Sequence, residues 1–439
     1  MADHPDGAPF ARSRLTRMDV TEPRAAVRGG ERMRILAFAY ACEPVKGSEP
    51  AAGWVCARML ARFADVWVFT RENNQPGIEA AVPGLPEEDH LHFEYVDTPR
   101  WMRWWKRGQR GARVYYFLWQ LAAVRRARIL SREIDPDIVW HLTWGNAWLG
   151  SLVPLLPQPF VFGPVGGGTG AAWRLWDTLG LRGNAFEVAR SSARAAARYL
   201  NPLARIAWRR ADLILAQNPE TVAWFPARHR SKAAIFPHAA IEDEDRNEVR
   251  GPERDRAVPT AVFVGRLTPW KGIALALHAL SHLEDWRLLI CGTGSDEARL
   301  KRLARRLGVE ERVRFLGWIP RERVRAMVAD EADIFLFPSL HDDAPFAVAE
   351  ALAAGVPVVC LDRGGPPVLG GTPVHASNRY ATTVALAEAA RTLAGTRSAG
   401  FPDLSTRAGE LRAILGKTFR WSVEAGDRGT AGSVTEERP

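Results

Sequence analysis

A chain of 439 residues with 47% apolar composition holds enough material for two or three packed domains, which excludes a disordered chain or a disulfide-stapled miniprotein. A formal charge of +9, with arginine far ahead of lysine, favours anionic partners (phosphates, nucleic acid or a lipid surface) without choosing among them. Cys42, Cys56, Cys291 and Cys360 show neither metal spacing nor scaffold density, so they read as reduced, buried thiols of a cytosolic protein, and no apolar run of about 20 residues is present to span a bilayer.

Residues 1–32 are polar, charged and rich in Arg, Pro and Gly, and are expected to be a disordered extension; residues 425–439 read the same way. The first domain is expected over 33–240. It opens with the strand RILAFAY, followed by ACEPVKGSEPAAGW and a helical run. A strand that delivers into a glycine-containing loop before a helix presents unpaired N–H groups to an anion. Gly47 is the glycine expected nearest that ligand; the alternative is that Gly47 and Ser48 form only a turn and a helix cap. Further strands are predicted at Val66–Thr70, Leu91–Val96, Asp137–His141 and Phe160–Gly163, with later ones at 211–216 and 233–237. Strands alternating with helix-length segments predict a parallel sheet with right-handed crossovers.

Between these strands, Trp101–Leu130 interleaves aromatic residues with arginine, and its second half is helix-length. Two readings lead, a surface that docks on anionic lipid headgroups and a core helix with snorkelling arginines, and a surface for single-stranded nucleic acid is a third. No nucleic-acid motif accompanies the basic charge, so no nucleic-acid partner is expected. His141 closes its strand at the carboxyl edge, where it is placed to face a cleft. The run GPVGGGTG from Gly163 lacks the offset of a dinucleotide fingerprint and reads as loop backbone lining that cleft. The charged stretch 241–258 is taken as a linker.

A second α/β unit is expected over 259–407. The strand AVFVG is followed by RLTPWKG, where Gly265 permits a tight turn while Arg266 and Lys271 project two cations. Two cations beside free N–H groups meet the charge of a diphosphate. The pattern repeats at WRLLICGTG, with Gly292 in the turn. Then Ile334–Leu361 reads strand, loop, helix, strand, with Pro345 at the helix start and Gly355 at its end. Asp342 and Glu350 thereby stand at the carboxyl end of a parallel strand, where open α/β sheets bind ligands. Asp342 and Asp343 are adjacent and not a D-x-D pair, and His278 and His282 lack a third ligand nearby. No metal is expected.

GRLTPWKG, GTGSDEARL, ADIFLFPS and the Asp342-x7-Glu350 helix followed by AAGVPVV together resemble the donor domain of glycosyltransferase family 4. The resemblance runs from Arg34 to Trp421. It implies a GT-B fold: two Rossmann-like parallel-sheet domains facing a central cleft, with a helix at 408–424 returning to the first. It further implies a retaining enzyme that moves a sugar from a nucleotide-diphosphate sugar, without metal or other cofactor, to a glycan or lipid-linked acceptor. Bacterial surface polysaccharide or glycolipid assembly, at the inner face of the cytoplasmic membrane, is the implied setting. On this resemblance Arg266 and Lys271 hold the diphosphate, with Gly265 and Gly292 in the turns beside them. Asp342 touches the transferred sugar and Glu350 the ribose. The peptide groups of Ala344, Pro345, Phe346 and Ala347 approach sugar and phosphate, Gly47 closes on the phosphate, and His141 lies near the family's cleft histidine. Two departures stand out. Asp342 is one methylene shorter than the usual Glu, and His238-Ala239 replaces a usual Asn-Gly at the domain crossing. They keep two alternatives open, a nucleotide-sugar or partner-binding protein of the same fold that transfers nothing, and a nucleotide-sugar epimerase.

Overall fold

A computed structural model describes residues 32–44, 47–99, 101, 111–242 and 258–421. Most of the expected N-terminal extension, most of the 241–258 linker and the 425–439 tail lie outside these residues.

The first sheet is built from β1 (Met33–Phe38), β2 (Ala64–Thr70), β3 (Leu91–Tyr95), β4 (Ile138–His141), β5 (Phe160–Val165), β6 (Leu213–Ala216) and β7 (Ala233–Ile235). Its spatial order is β3-β2-β1-β4-β5-β6-β7, with every pairing parallel. The second sheet holds β8 (Thr260–Val264), β9 (Arg287–Cys291), β10 (Val313–Gly317), β11 (Ile334–Phe337), β12 (Val358–Leu361) and β13 (Thr372–Val374). Its order, β10-β9-β8-β11-β12-β13, is again wholly parallel. These are the two Rossmann-like sheets of a GT-B fold, and each reverses its winding once, between β1 and β4 and between β8 and β11. Ligand crevices open at the carboxyl ends of strands at such reversals.

Composition explains which strands are central. IVWH, LILA, IFLF and VVCL are buried at every position, as strands covered by helices on both faces must be. Edge strands β3 and β10 alternate or grade toward exposure. The helix Ala112–Ile134 settles the two readings of the aromatic segment for its second half. Tyr115, Tyr116, Trp119, Ala123, Val124 and Ala127 recur at helical spacing and are all buried against β1, β4 and β5 residues. Its tyrosines and tryptophan are therefore core, and the lipid-facing expectation for Trp101–Leu130 is corrected over 112–130. Trp101 is exposed, and 102–110 lie outside the described residues. All four cysteines are free and buried, and burial pushes their thiol pKa values up.

The chain crosses between domains twice, near Ile241 and near Asp403, and the two crossings pair: the Ile241 N–H donates to Pro402 O at 3.3 Å and the Leu404 N–H to Ile241 O at 2.9 Å. After the second crossing, the helix Leu404–Phe419 packs Leu411, Leu415 and Phe419 against the first domain, beside Trp54 and Val55 of the helix Glu49–Ala61. Beneath the latter helix, Arg58 donates to Glu87 in a pair whose side chains are 3% and 1% exposed. Arg62 and Glu242 join the cluster at 3.3 Å. A buried guanidinium stripped of its main partner costs far more than a surface pair. Glu87→Ala is expected to lower the stability of the first domain by about 3–5 kcal/mol in urea unfolding, against less than about 1 kcal/mol for Arg126→Ala, whose guanidinium pairs with Glu94 near the surface at 2.8 Å.

Candidate functional site

The crevice of the second domain is assembled from three loops that touch through glycine. A Cβ on Gly272, which sits at φ 74°, would fall 1.8 Å from Pro338 O, so the β8 and β11 loops pack backbone to backbone there. A Cβ on Gly292 would fall 2.0 Å from Gly265 O, which joins the β9 loop to the β8 loop in the same way. This close packing brings residues far apart in sequence together. Lys271 ends the one-turn helix Pro269–Lys271 and reaches Asp342 Oδ2 with its Nζ at 2.6 Å; both side chains are less than one-fifth exposed. Its ammonium also lies 5.3 Å from the centre of the Phe337 ring. Arg266 is exposed and has no side-chain partner among the described residues. The structure thus brings together Gly265, Lys271, Gly292 and Asp342, with Arg266 on the loop between them.

The helix after β11 runs Phe346–Ala353, one residue later than expected. Pro345 takes an extended ψ of 117° as its N-cap instead of starting the helix. Glu350 lies on this helix and accepts from Arg321 Nε at 2.6 Å. Ala344 and Phe346 face the first domain's end, where the Phe346 ring lies 5.2 Å from that of His238. Gly47 is exposed, and a Cβ added there would meet nothing within 4 Å. The unusual backbone falls instead on Ser48, at φ 65°. His141 requires correction. It stands at the carboxyl end of β4 but is only 2% exposed, packed between Tyr116 and Phe162, with its Nε2 3.2 Å from the Tyr116 hydroxyl. Burial pushes its pKa down to about 4, with the Trp144 backbone opposing. A neutral, enclosed imidazole lies beneath the cleft floor and not on it.

The residues missed by sequence reasoning are those that join the domains. Asp343, next to the Lys271 partner, turns the other way. Its carboxylate accepts the Gly167 N–H at 2.9 and 3.1 Å and the Asn218 Nδ2 at 3.0 Å. Asn218 is held for this by its other end, where Oδ1 caps the helix Pro219–Trp224 at the Thr221 N–H. A Cβ on Gly166 would fall 2.2 Å from the Asp343 carboxyl carbon, which accounts for one glycine of GPVGGGTG. Around this centre, Arg363 donates to Gly170 O at 2.6 Å and the Gly364 N–H to Glu220 at 2.9 Å. His341 approaches Glu187 at 3.3 Å. Burial alone would raise Glu187, but His341, the Ala171 N–H and Arg190 bring it down to about 2. On the first domain's side, Glu49 accepts the Gly145 N–H at 3.3 Å, and burial raises its pKa against the Gly145 and Trp144 backbone. The only sequence signal for Asp343 was its place beside Asp342. Among the described residues, no group of His, Cys, Asp and Glu has the makings of a metal site.

Residues 244–376 match the family model described as glycosyl transferases group 1. This part of the chain is similar to that family. A putative colanic acid biosynthesis glycosyltransferase, WcaL, of Salmonella typhimurium is 29% identical over 51% of this chain and 59% of its own length. A D-inositol 3-phosphate glycosyltransferase of Corynebacterium efficiens is 37% identical over 31% of this chain and 36% of its own. The chain thus spans less than two-thirds of either relative. Among solved structures, Anabaena HepE in complex with UDP superposes with a TM-score of 0.52 at 16% identity, over 88% of this chain and 100% of that one, and so shares the fold.

Asp343→Ala removes the acceptor of three interdomain hydrogen bonds. Small-angle scattering is expected to show a larger radius of gyration, with each domain's unfolding transition kept; an unchanged scattering curve would show that the surrounding contacts hold the domains without it. A second expectation concerns acid. His141 and His238 are both buried with pKa values lowered to about 4, His238 by burial and then by Arg407. Unfolding restores an ordinary value near 6.5, so the unfolded chain binds more protons between about pH 6.5 and 4. Stability is therefore full above pH 6.5 and falls through that window, by roughly 3 kcal/mol per histidine at its lower end. His141→Gln with His238→Gln is expected to flatten the pH dependence of the unfolding midpoint over that range.

Proposed function

We propose that the protein is a retaining glycosyltransferase that moves a sugar from a nucleotide-diphosphate sugar to a glycan or lipid-linked acceptor. The observation that carries this reading is the Lys271–Asp342 contact at the winding reversal of the second sheet, with the free Arg266 on the same loop. A cation already held against a carboxylate is poised for exchange. The donor's diphosphate offers Lys271 a stronger anionic partner, and Asp342 is released toward the sugar hydroxyls. The colanic acid relative and an amylovoran biosynthesis glycosyltransferase of Erwinia amylovora, 37% identical over 24% of this chain and 28% of its own, support surface polysaccharide assembly as the setting.

The reaction then runs as follows. Closure of the domains excludes water from the sugar phosphate. The bond from the anomeric carbon to the diphosphate oxygen breaks with its electron pair going to the leaving group, which Arg266 and Lys271 neutralise. The acceptor oxygen bonds to the same face of the oxocarbenium-like carbon, and its proton passes to the leaving phosphate oxygen. Glu350, now paired with Arg321, would receive the ribose hydroxyls. No enzyme nucleophile or metal takes part in this scheme. His141 is too deeply buried to touch the substrate.

The same contact favours a second reading. With a shortened carboxylate locked to Lys271, the site binds a nucleotide sugar and transfers nothing. A panel of nucleotide sugars incubated with the purified protein separates the two through slow donor hydrolysis or transfer to glycan and lipid extracts. Arg266→Ala and Lys271→Ala are each expected to lower turnover by roughly two to three orders of magnitude. Equal turnover in both variants and the parent would sink the transferase reading. Tight binding without hydrolysis or transfer would select the second.

A further inference from the structure

The helix Gly180–Leu200 is amphipathic the wrong way round for a soluble domain. Its inner ridge, Gly183, Glu187, Arg190 and Arg194, is spaced at four, three and four residues and carries the polar groups. Arg190 donates to Thr169 O at 2.7 Å, and Arg194 to Gly168 O at 2.6 Å and Thr169 O at 3.1 Å. These arginines grip the glycine-rich loop. The opposite ridge is left apolar and uncovered. Leu181, Val188, Tyr199 and Leu200 are 90%, 51%, 68% and 77% exposed, with Ala185, Ala189, Ala196 and one polar residue, Ser192, between them. Just ahead of the helix, Trp173 is 73% exposed.

We propose that this face docks on an anionic lipid surface. The charge around it decides the occupant. Residues 173–210 contain eight arginines against one Asp and one Glu. Both carboxylates are occupied, Asp177 by Arg379 at 3.0 Å and Glu187 by Arg190 and His341. Arg174, Arg182, Arg205, Arg209 and Arg210 are exposed, on this helix or on the segments that flank it, Trp173–Thr178 and Pro202–Arg210. An apolar stripe with a tryptophan and a tyrosine at its ends and cations at its rim matches the layering of acyl chain, interface and anionic headgroup. A second copy of the chain fits poorly, because it would press two arginine rims together, and a nucleic acid has no use for the exposed Leu181, Val188 and Leu200. The surface also replaces the Trp101–Leu130 reading, whose helical aromatics are in the core.

The first turns of the same helix touch the donor loop. Phe186 stacks on Trp270 at 4.4 Å and 18°, one residue from Lys271, and Gly183 packs on Pro269. A bilayer under this face therefore lies beside the mouth of the cleft. If the transferase reading holds, the acceptor is a lipid-anchored one, presented there by the membrane.

The test is flotation of the full chain with phosphatidylcholine vesicles and with 7:3 phosphatidylcholine:phosphatidylglycerol vesicles at low and physiological salt. Parent protein is expected to float with the anionic vesicles and not with the neutral ones. Val188→Glu with Tyr199→Glu is expected to cut the bound fraction about tenfold, as is Arg205→Glu with Arg209→Glu. All four positions are exposed or partly so, and circular dichroism and the unfolding midpoint check that the variants fold. Donor hydrolysis without vesicles is expected to stay at parent level in these variants, so loss of that activity in the parent would count against the transferase reading alone. The proposal is overturned if the parent ignores anionic vesicles, if the double variants float as the parent does, or if Trp101→Ala alone abolishes flotation. It is equally overturned if light scattering without vesicles finds a parent dimer that Val188→Glu with Tyr199→Glu dissolves.

Discussion

One carboxylate holds the two halves of this molecule in register. Asp343 belongs to the second domain by sequence and to the first by its hydrogen bonds, since its acceptors are filled by the Gly167 N–H and the Asn218 amide. A charged acceptor receiving backbone and amide N–H groups away from bulk water is among the stronger polar contacts available. Several features of the domain boundary are arranged around it: the glycine that must lack a Cβ, the helix cap that orients Asn218, and the outer ring formed by Arg363, Glu220 and the Glu187–His341 pair.

Its neighbour Asp342 has the opposite orientation and a different task. The two side chains point to opposite sides of the loop after β11, so one dipeptide serves two surfaces: Asp342 is turned to Lys271 inside the donor crevice, and Asp343 is turned outward to the other domain. Any movement that separates the domains pulls on the peptide carrying Asp342.

The fold was legible because its strands are covered on both faces, and a run such as IFLF or VVCL has little else to become. The glycine, lysine and carboxylate positions of the second crevice were legible for a related reason. They sit at strand ends, and strand ends of a doubly wound sheet are where ligands go. Sequence could not say which way a side chain turns once the strand stops, so His141 was placed on the cleft surface when its ring is under the floor. It could not weigh Tyr115, Tyr116 and Trp119 as core against interface either, because both environments ask for the same residues. Asp343 and Asn218 are 125 residues apart, and no local period reports a contact of that span. The helix Gly180–Leu200 misleads in a third way, since its arginines look like a solvated face until the loop they grip is seen.

The return of the helix Leu404–Phe419 to the first domain has a consequence for the order of assembly. The second sheet is drawn from one uninterrupted stretch of chain, whereas one side of the helix Glu49–Ala61 is closed by residues that follow the whole second domain. The domain synthesised first thus stays incomplete along that side until the helix Leu404–Phe419 follows the completed second domain. During that interval the nascent first domain carries a sticky seam, and its final closure is a long-range step of high contact order.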